Sequence, residues 1–203
     1  PAAARVIHNS PDTPAVDIVV NDDFTAPLVE DLLFPTTTDY VTVAPADYNV
    51  KVTAANNPGI VAIDADLSLE AGVYYSVYAK DFFANVAPLV LTDDQRSVAT
   101  EAKIRLIHGS PSAGPVDIYL SAPGDDLATL TPNFTNVPFD ADTGYISLAG
   151  GDYRVRVTPT GTQTVAIDTG TISLADGRIY TAVARDNVGG GLPLDLILLD
   201  DFN

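Results

Sequence analysis

His8 and His108 are the only two histidines in the chain, and their settings repeat: Ser10 and Ser110 follow two residues on, Asp17 and Asp117 nine residues on. His, Ser and Asp are the residue types of nucleophilic acyl transfer, in which an imidazole takes the hydroxyl proton and a carboxylate orients the imidazole. That chemistry also needs a sharp nucleophile turn and backbone donors for the oxyanion, and neither serine lies in a Gly-x-Ser-x-Gly setting. The alternative places each His at a strand end, bonded to turn backbone, with the Asp fixing its tautomer. We adopt this second reading: His8, Asp17, His108 and Asp117 hold turns, and no catalytic residue is assigned.

Carboxylates offer a different chemistry. Calcium takes about six to eight oxygen ligands, and the pairs Asp22-Asp23, Asp93-Asp94 and Asp125-Asp126 fall in segments that read as loops or strand ends. None has the EF-hand spacing. These six residues are either calcium ligands or a solvated acidic surface, with Asp93-Asp94 the first candidate because it closes one half of the chain. Calcium is the one cofactor they could call for. Arg154 and Arg156 share the outward face of one expected strand, where they either make local cross-strand pairs or form a basic stripe that docks on a neighbouring subunit. Tyr40, Tyr78 and Tyr145 are the rings that could stack on a sugar.

The elements that position these residues are read from composition and pattern. The chain has 203 residues, 46% hydrophobic, with 27 acidic against 10 basic side chains and a net charge of −17. Such a field repels nucleic-acid phosphates and anionic membrane surfaces, and no stretch reaches the roughly 20 apolar residues of a spanning helix. All but three of the carboxylates are Asp, which suits turns between strands or a surface kept hydrated in saline surroundings. With no Cys, disulfide frameworks and thiolate chemistry are excluded. A chain that starts at Pro1 and lacks Met reads as a processed or excised segment, which points to export.

An internal duplication organises the whole sequence. Arg5-Val6-Ile7-His8-Asn9-Ser10-Pro11 recurs as Arg105-Leu106-Ile107-His108-Gly109-Ser110-Pro111, and Val16-Asp17-Ile18 as Val116-Asp117-Ile118. The copies are expected at residues 1–94 and 102–203, joined by a linker at 95–101. Within each copy the apolar period is two: Tyr48, Val50 and Val52 alternate with Asn49, Lys51 and Thr53, and Tyr153, Val155 and Val157 with Arg154, Arg156 and Thr158. That period predicts half-buried strands. Gly72 precedes Tyr75, and Gly177 precedes Tyr180, by three residues, the spacing of a tyrosine corner. The expected fold is all-β: two tandem immunoglobulin-like Greek-key β-sandwiches, each of seven or eight short strands.

The run from His8 to Ile18 and its copy from His108 to Ile118, a strand ending in His, then a small residue, Ser-Pro, a Pro-containing turn and Val-Asp-Ile, resembles domain of unknown function 4397. The resemblance covers both copies. It implies secreted or cell-surface proteins of bacteria and archaea, often built of tandem sandwich domains, with no established enzyme activity. The functional expectation is a non-enzymatic extracellular structural or adhesive module of a microbial surface, a filament subunit among the forms it could take, whose partners are copies of itself or other surface proteins. The second reading is a calcium- or carbohydrate-binding surface module.

Overall fold

Period-two alternation becomes strand along the whole chain. The computed structural model describes residues 1–201, and the chain divides between Asp93 and Asp94 into two units. The first contains β1 (Ala2–Asn9), β2 (Val16–Val20), β3 (Val29–Leu32), β4 (Val41–Val43), β5 (Ala46–Ala54), β6 (Asn57–Leu69), β7 (Tyr74–Lys80) and β8 (Ala87–Asp93). One sheet runs β4-β1-β7-β8 and the other β3-β2-β5-β6. The second unit contains β9 (Ala102–His108), β10 (Val116–Ser121), β11 (Phe134–Val137), β12 (Asp142–Leu148), β13 (Gly151–Pro159), β14 (Ile167–Asp168), β15 (Ile172–Leu174), β16 (Ile179–Arg185) and β17 (Asp195–Asp201). Its sheets run β12-β9-β16-β17 and β11-β10-β13, with β14 and β15 both pairing β13 in the place that β6 fills alone. The chain is therefore an all-β tandem of sandwiches.

The strand order has one non-local feature: β1 lies parallel to β7, and β9 parallel to β16, while the other named pairs are antiparallel. A constant-type immunoglobulin domain instead places its first strand beside the second. The segment 95–101, expected as a linker, folds with the second unit. Lys103 Nζ donates to Asp94 at 2.5 Å and to the Arg96 carbonyl at 2.7 Å, and the Gly177 N–H donates to the Glu101 carbonyl at 2.8 Å. The apolar segment near the end of the chain completes its own sheet, as β17 pairs with β16 along its length. Among the described residues, no helix is long and apolar enough to cross a membrane.

The inward residues of the second sandwich form one continuous cluster that includes Ile104, Leu106, Ile118, Val155 and Val157. Each such side chain, fully buried, contributes roughly 1.5–3 kcal/mol of transfer free energy. In the first sandwich the core is split. One cluster centres on Ile18, Val52 and Ile63, another on Ala2, Leu69 and Tyr75. Between the sheets lies a cavity of about 140 Å³.

Tyrosines fasten the turns at two points in each copy. Tyr75 Oη accepts the Glu70 N–H at 3.1 Å, and Tyr180 Oη accepts the Ala175 N–H at 3.2 Å. Gly72 and Gly177 in these turns have φ of 77° and 79°, the left-handed region that glycine enters without steric cost. A second pair escaped the sequence reading: Tyr48 and Tyr153 donate to the carbonyls of Ala44 and Ala149, each at 2.8 Å. Tyr75→Phe and Tyr180→Phe should each cost about 1 kcal/mol, the net value of one hydrogen bond. Urea unfolding of the two variants measures it, and unchanged midpoints would remove the hydroxyls from the account.

Candidate functional site

The chain enters the first sandwich at Ala2 and leaves it at Asp93, and both residues lie at one end of the sheet: Ala3 pairs with Tyr74, and Tyr74 with Asp93. The second sandwich repeats this, with Ile179 between Lys103 and Asp201. The segments after β1, β3, β5 and β7, and after their copies, therefore gather at the opposite end of each sandwich. That loop end is where the duplicated motif sits.

His8 is fully buried at the end of β1. Its Nε2–H donates to the Pro14 carbonyl at 3.1 Å, and its Nδ1 accepts the Ser10 N–H at 3.4 Å. Because a carbonyl can only accept, these two contacts select the tautomer protonated at Nε2. The Phe34 ring meets the imidazole edge-on at 6.0 Å. His108 repeats the arrangement with Gly114 at 3.0 Å, Ser110 at 3.4 Å and Phe139 at 6.1 Å. Burial pushes both imidazoles below their ordinary pKa, only partly opposed by the carbonyl bonds, so both are neutral at pH 7.

Asp17 and Asp117 do not orient these imidazoles, contrary to the expectation. Asp17 Oδ1 accepts the Asp31 N–H at 2.9 Å and its Oδ2 the Asn56 N–H at 3.2 Å. Asp117 accepts from Asn136 at 2.8 Å and Gly161 at 2.9 Å. All four donors have left-handed backbone, with φ of 53°, 59°, 53° and 74°. The carboxylate thus clamps two turns that the chain enters at some conformational cost, one of them the register shift between β2 and β3 or between β10 and β11. Burial raises the Asp117 carboxyl, but the two backbone donors and Thr160 outweigh it and hold the group below its usual range.

The serines are sealed as well. Ser10 Oγ bonds Thr13 Oγ1 and Ser110 Oγ donates to Asp186, and both serines are fully buried. A nucleophile that no substrate can reach, beside an imidazole bonded at both nitrogens, is not a catalytic centre. The constellation orders loops instead.

The acidic pairs are dispersed. Asp22 pairs with Lys51 at 2.7 Å, Asp23 accepts from both the N–H and the hydroxyl of Thr25, Asp94 pairs with Lys103, Asp125 accepts the Ala122 N–H at 3.1 Å, and Asp126 accepts the Ala128 N–H at 3.0 Å. Asp93 is buried: its Oδ2 accepts from Tyr40 Oη and Ser76 Oγ, each at 2.6 Å. Among the described residues there is no group of three or more His, Cys, Asp or Glu placed to hold a metal ion. The arginines take local partners. Arg154 grips Asp168 through Nε at 2.8 Å and Nη2 at 2.5 Å, holding that carboxyl at about 2. Arg156 donates to Ser121 Oγ at 3.0 Å and to the Asp125 carbonyl at 3.1 Å, binding the lengthened loop to its sheet. A basic stripe open to a neighbouring subunit is not what they form. Of the three tyrosines weighed for sugars, Tyr78 is buried, and Tyr40 and Tyr145 lie under the guanidinium groups of Arg5 and Arg105, each 4.7 Å from the ring centre.

One arrangement had no reading in the sequence. Arg5 Nε donates to Ser76 Oγ at 2.8 Å, and Ser76 and Tyr40 both donate to Asp93. In the second unit, Arg105 donates to Thr181, and Thr181 and Tyr145 to Asp201, at 3.3, 2.6 and 3.4 Å. The signal was present in the identical placement of Arg5 and Arg105 before each His, within a stretch otherwise apolar.

A histidine whose folded pKa is depressed leaves the unfolded chain to bind the proton first. Its stabilising contribution is complete above about pH 6.5 and is lost progressively as pH falls below that value. The melting midpoint should therefore drop between pH 7 and pH 5, by less in a His8→Gln/His108→Gln variant. Proton NMR should show both imidazoles still neutral at pH 6.5. Half-protonation of either ring there would contradict the burial account. Calcium should leave the midpoint where a chelator leaves it, since a ligand of the folded form alone must raise it.

Structural likeness to solved proteins is weak. A carbohydrate-binding module of family 26 from Eubacterium rectale Amy13K, solved with maltoheptaose, has 10% identity, coverage of 97% of this chain and 96% of that one, and a TM-score of 0.31. A candidate cell-adhesion protein from Bacteroides eggerthii has 12% identity, 98% and 95% coverage, and a TM-score of 0.25. A second, from Bacteroides fragilis, has 11% identity, 98% and 97% coverage, and a TM-score of 0.21. Likeness at this level carries no functional conclusion. No curated protein matches the chain in sequence. The family match is extensive: residues 2–119 and 123–203 fit the domain of unknown function (DUF4397), so both sandwiches, with their His-Ser-Pro and Val-Asp-Ile loop motif, make this chain a member of that family.

Proposed function

We propose that the chain is a non-enzymatic extracellular module of a microbial surface, adhesive rather than catalytic, which presents the loop ends of its two sandwiches to another surface protein. The observation that carries this is the loop end itself. It is organised twice by the same buried His and the same clamping Asp. Among the described residues, the three most exposed large apolar side chains, Leu192 at 76%, Val188 at 71% and Leu33 at 59%, all lie there. Loops held on a rigid β scaffold are where such domains place contacts, and apolar side chains left in water at loop tips supply contact area. The chain enters and leaves each sandwich at the opposite end.

The test displays the chain on a heterologous bacterial cell and scores attachment to source-organism cells. Leu33→Ser, Val188→Ser and Leu192→Ser together should leave the melting midpoint within about 3 °C, because exposed substitutions change stability by roughly 0.5 kcal/mol or less, while attachment falls to the level of undecorated cells. Attachment that survives all three substitutions would reject the loop ends as the contact. A serine-reactive fluorophosphonate should label neither Ser10 nor Ser110; labelling of either would restore the hydrolase reading. Negative-stain electron microscopy of the purified chain separates an adhesive monomer from a filament subunit.

A further inference from the structure

The two copies share a frame but not a filling. The cavity of about 140 Å³ in the first sandwich is lined by Ala4, Val6, Val29 and Val43 among others. Strand register identifies their counterparts. Ala2 pairs with Val43 as Ala102 pairs with Leu148, and Ile18 pairs with Val29 as Ile118 pairs with Phe134. In the second sandwich these positions thus carry Ile104, Leu106, Phe134 and Leu148, and all four belong to or pack against its core. A methyl faces a sec-butyl group, and an isopropyl group a benzyl. Val77, where the second copy has Ala182, and Leu28, where it has Asn133, go the other way.

The void also communicates with solvent. Ala4, Val6 and Val50 are half-buried, whereas Ile104, Leu106 and Val155 are sealed. Leu28 lies on the lining and is 48% exposed. Its backbone N–H bonds the Ile18 carbonyl as that of Asn133 bonds Ile118, so an apolar side chain stands at the mouth where the other copy has an amide. The opening lies beside β3 and β4, the edge strands of the two sheets.

The two polar side chains on the lining are occupied elsewhere. Thr38 Oγ1 accepts the Val6 N–H at 3.0 Å, and Tyr48 Oη donates to the Ala44 carbonyl. No polar group is offered to an occupant, which must be apolar and uncharged. Volume sets its size: an engineered cavity of about 150 Å³ lined by Leu, Ile and Phe stays dry and takes up benzene or xenon.

We propose that this void in the first sandwich is a binding site for a small hydrocarbon group of about benzene size, free or as the apolar end of a larger molecule, and that the counterpart positions of the second sandwich, occupied by Ile104, Leu106, Phe134 and Leu148, form none. Methyl NMR with benzene, n-hexane and phenol on the whole chain tests it. Benzene or hexane should shift the Val6, Val29 and Val43 methyls and raise the melting midpoint, while phenol, whose hydroxyl finds no partner, should bind at least tenfold more weakly. Hexane binding without benzene would favour an alkyl tail, and the reverse a ring; either supports the site. Val6→Leu/Val43→Leu, which copies the second sandwich, should keep or raise the midpoint without ligand and abolish the methyl shifts; Val29→Phe serves as an independent filling. Absence of shifts with both hydrocarbons at saturation would overturn the proposal, as would undiminished binding to either filled variant.

Discussion

A single carboxylate oxygen ties together one sheet of each sandwich. Asp93 Oδ2, at the end of β8, accepts from Ser76 on β7 and from Tyr40 just before β4, with the Arg5 guanidinium of β1 3.9 Å away. Three strands of the sheet and the residue that precedes the fourth contribute to one buried charge. Such a charge is tolerated only when its partners are all in place, and a one-residue slip of β1 would put Val6 or Ala4 where Arg5 stands. The network therefore selects a register. It does so at the least local pairing in the fold, since β1 must find β7 across the length of the domain before any hairpin helps it. Asp201 with Thr181, Tyr145 and Arg105 performs the same selection in the second unit.

With the frame held by polar staples, the interior is left to vary. A chain with no Trp and no Cys must fill the space between its sheets largely with aliphatic side chains, and at Ile104, Leu106 and Leu148 the second sandwich does so with larger ones than the first. The first leaves about 140 Å³ open. The neighbouring copy shows that the same frame accepts larger side chains at these positions, so the void is a property of the first copy's side chains rather than of its topology.

The strands, their inward faces, the duplication and the Gly-x-x-Tyr turns were all legible, because each rests on contacts close in sequence or on a period that needs no partner. What was not legible depends on pairings across the domain. Asp17 and His8 look like partners at nine residues, yet β1 and β2 belong to different sheets, and Asp17 instead meets Asp31 on β3 and Asn56 in the turn after β5. Asp93 looked like half of a surface pair; alternation along β8 separates it from Asp94, burying one and giving the other to Lys103. Arg154 and Arg156 were correctly placed on one face, but their partners Asp168 and Ser121 come from neighbouring strands that the sequence does not name.

The placement of chain ends also bears on the kind of work these domains can do. Tension applied between Ala2 and Asp93 acts at one end of the sheet, where it opens strand pairs one hydrogen bond at a time rather than shearing many together. That geometry suits display of the far end better than bearing load along the axis. Charge then narrows what the far end meets. The chain carries −17 overall, and the guanidinium groups of Arg154 and Arg156 are already spent on their own unit, so two copies approach each other against a repulsion that only salt relieves. For the adhesive role proposed above, apolar tips such as Leu33, Val188 and Leu192 on an acidic body call for a partner that is basic around an apolar recess, since such a charge is what this field attracts.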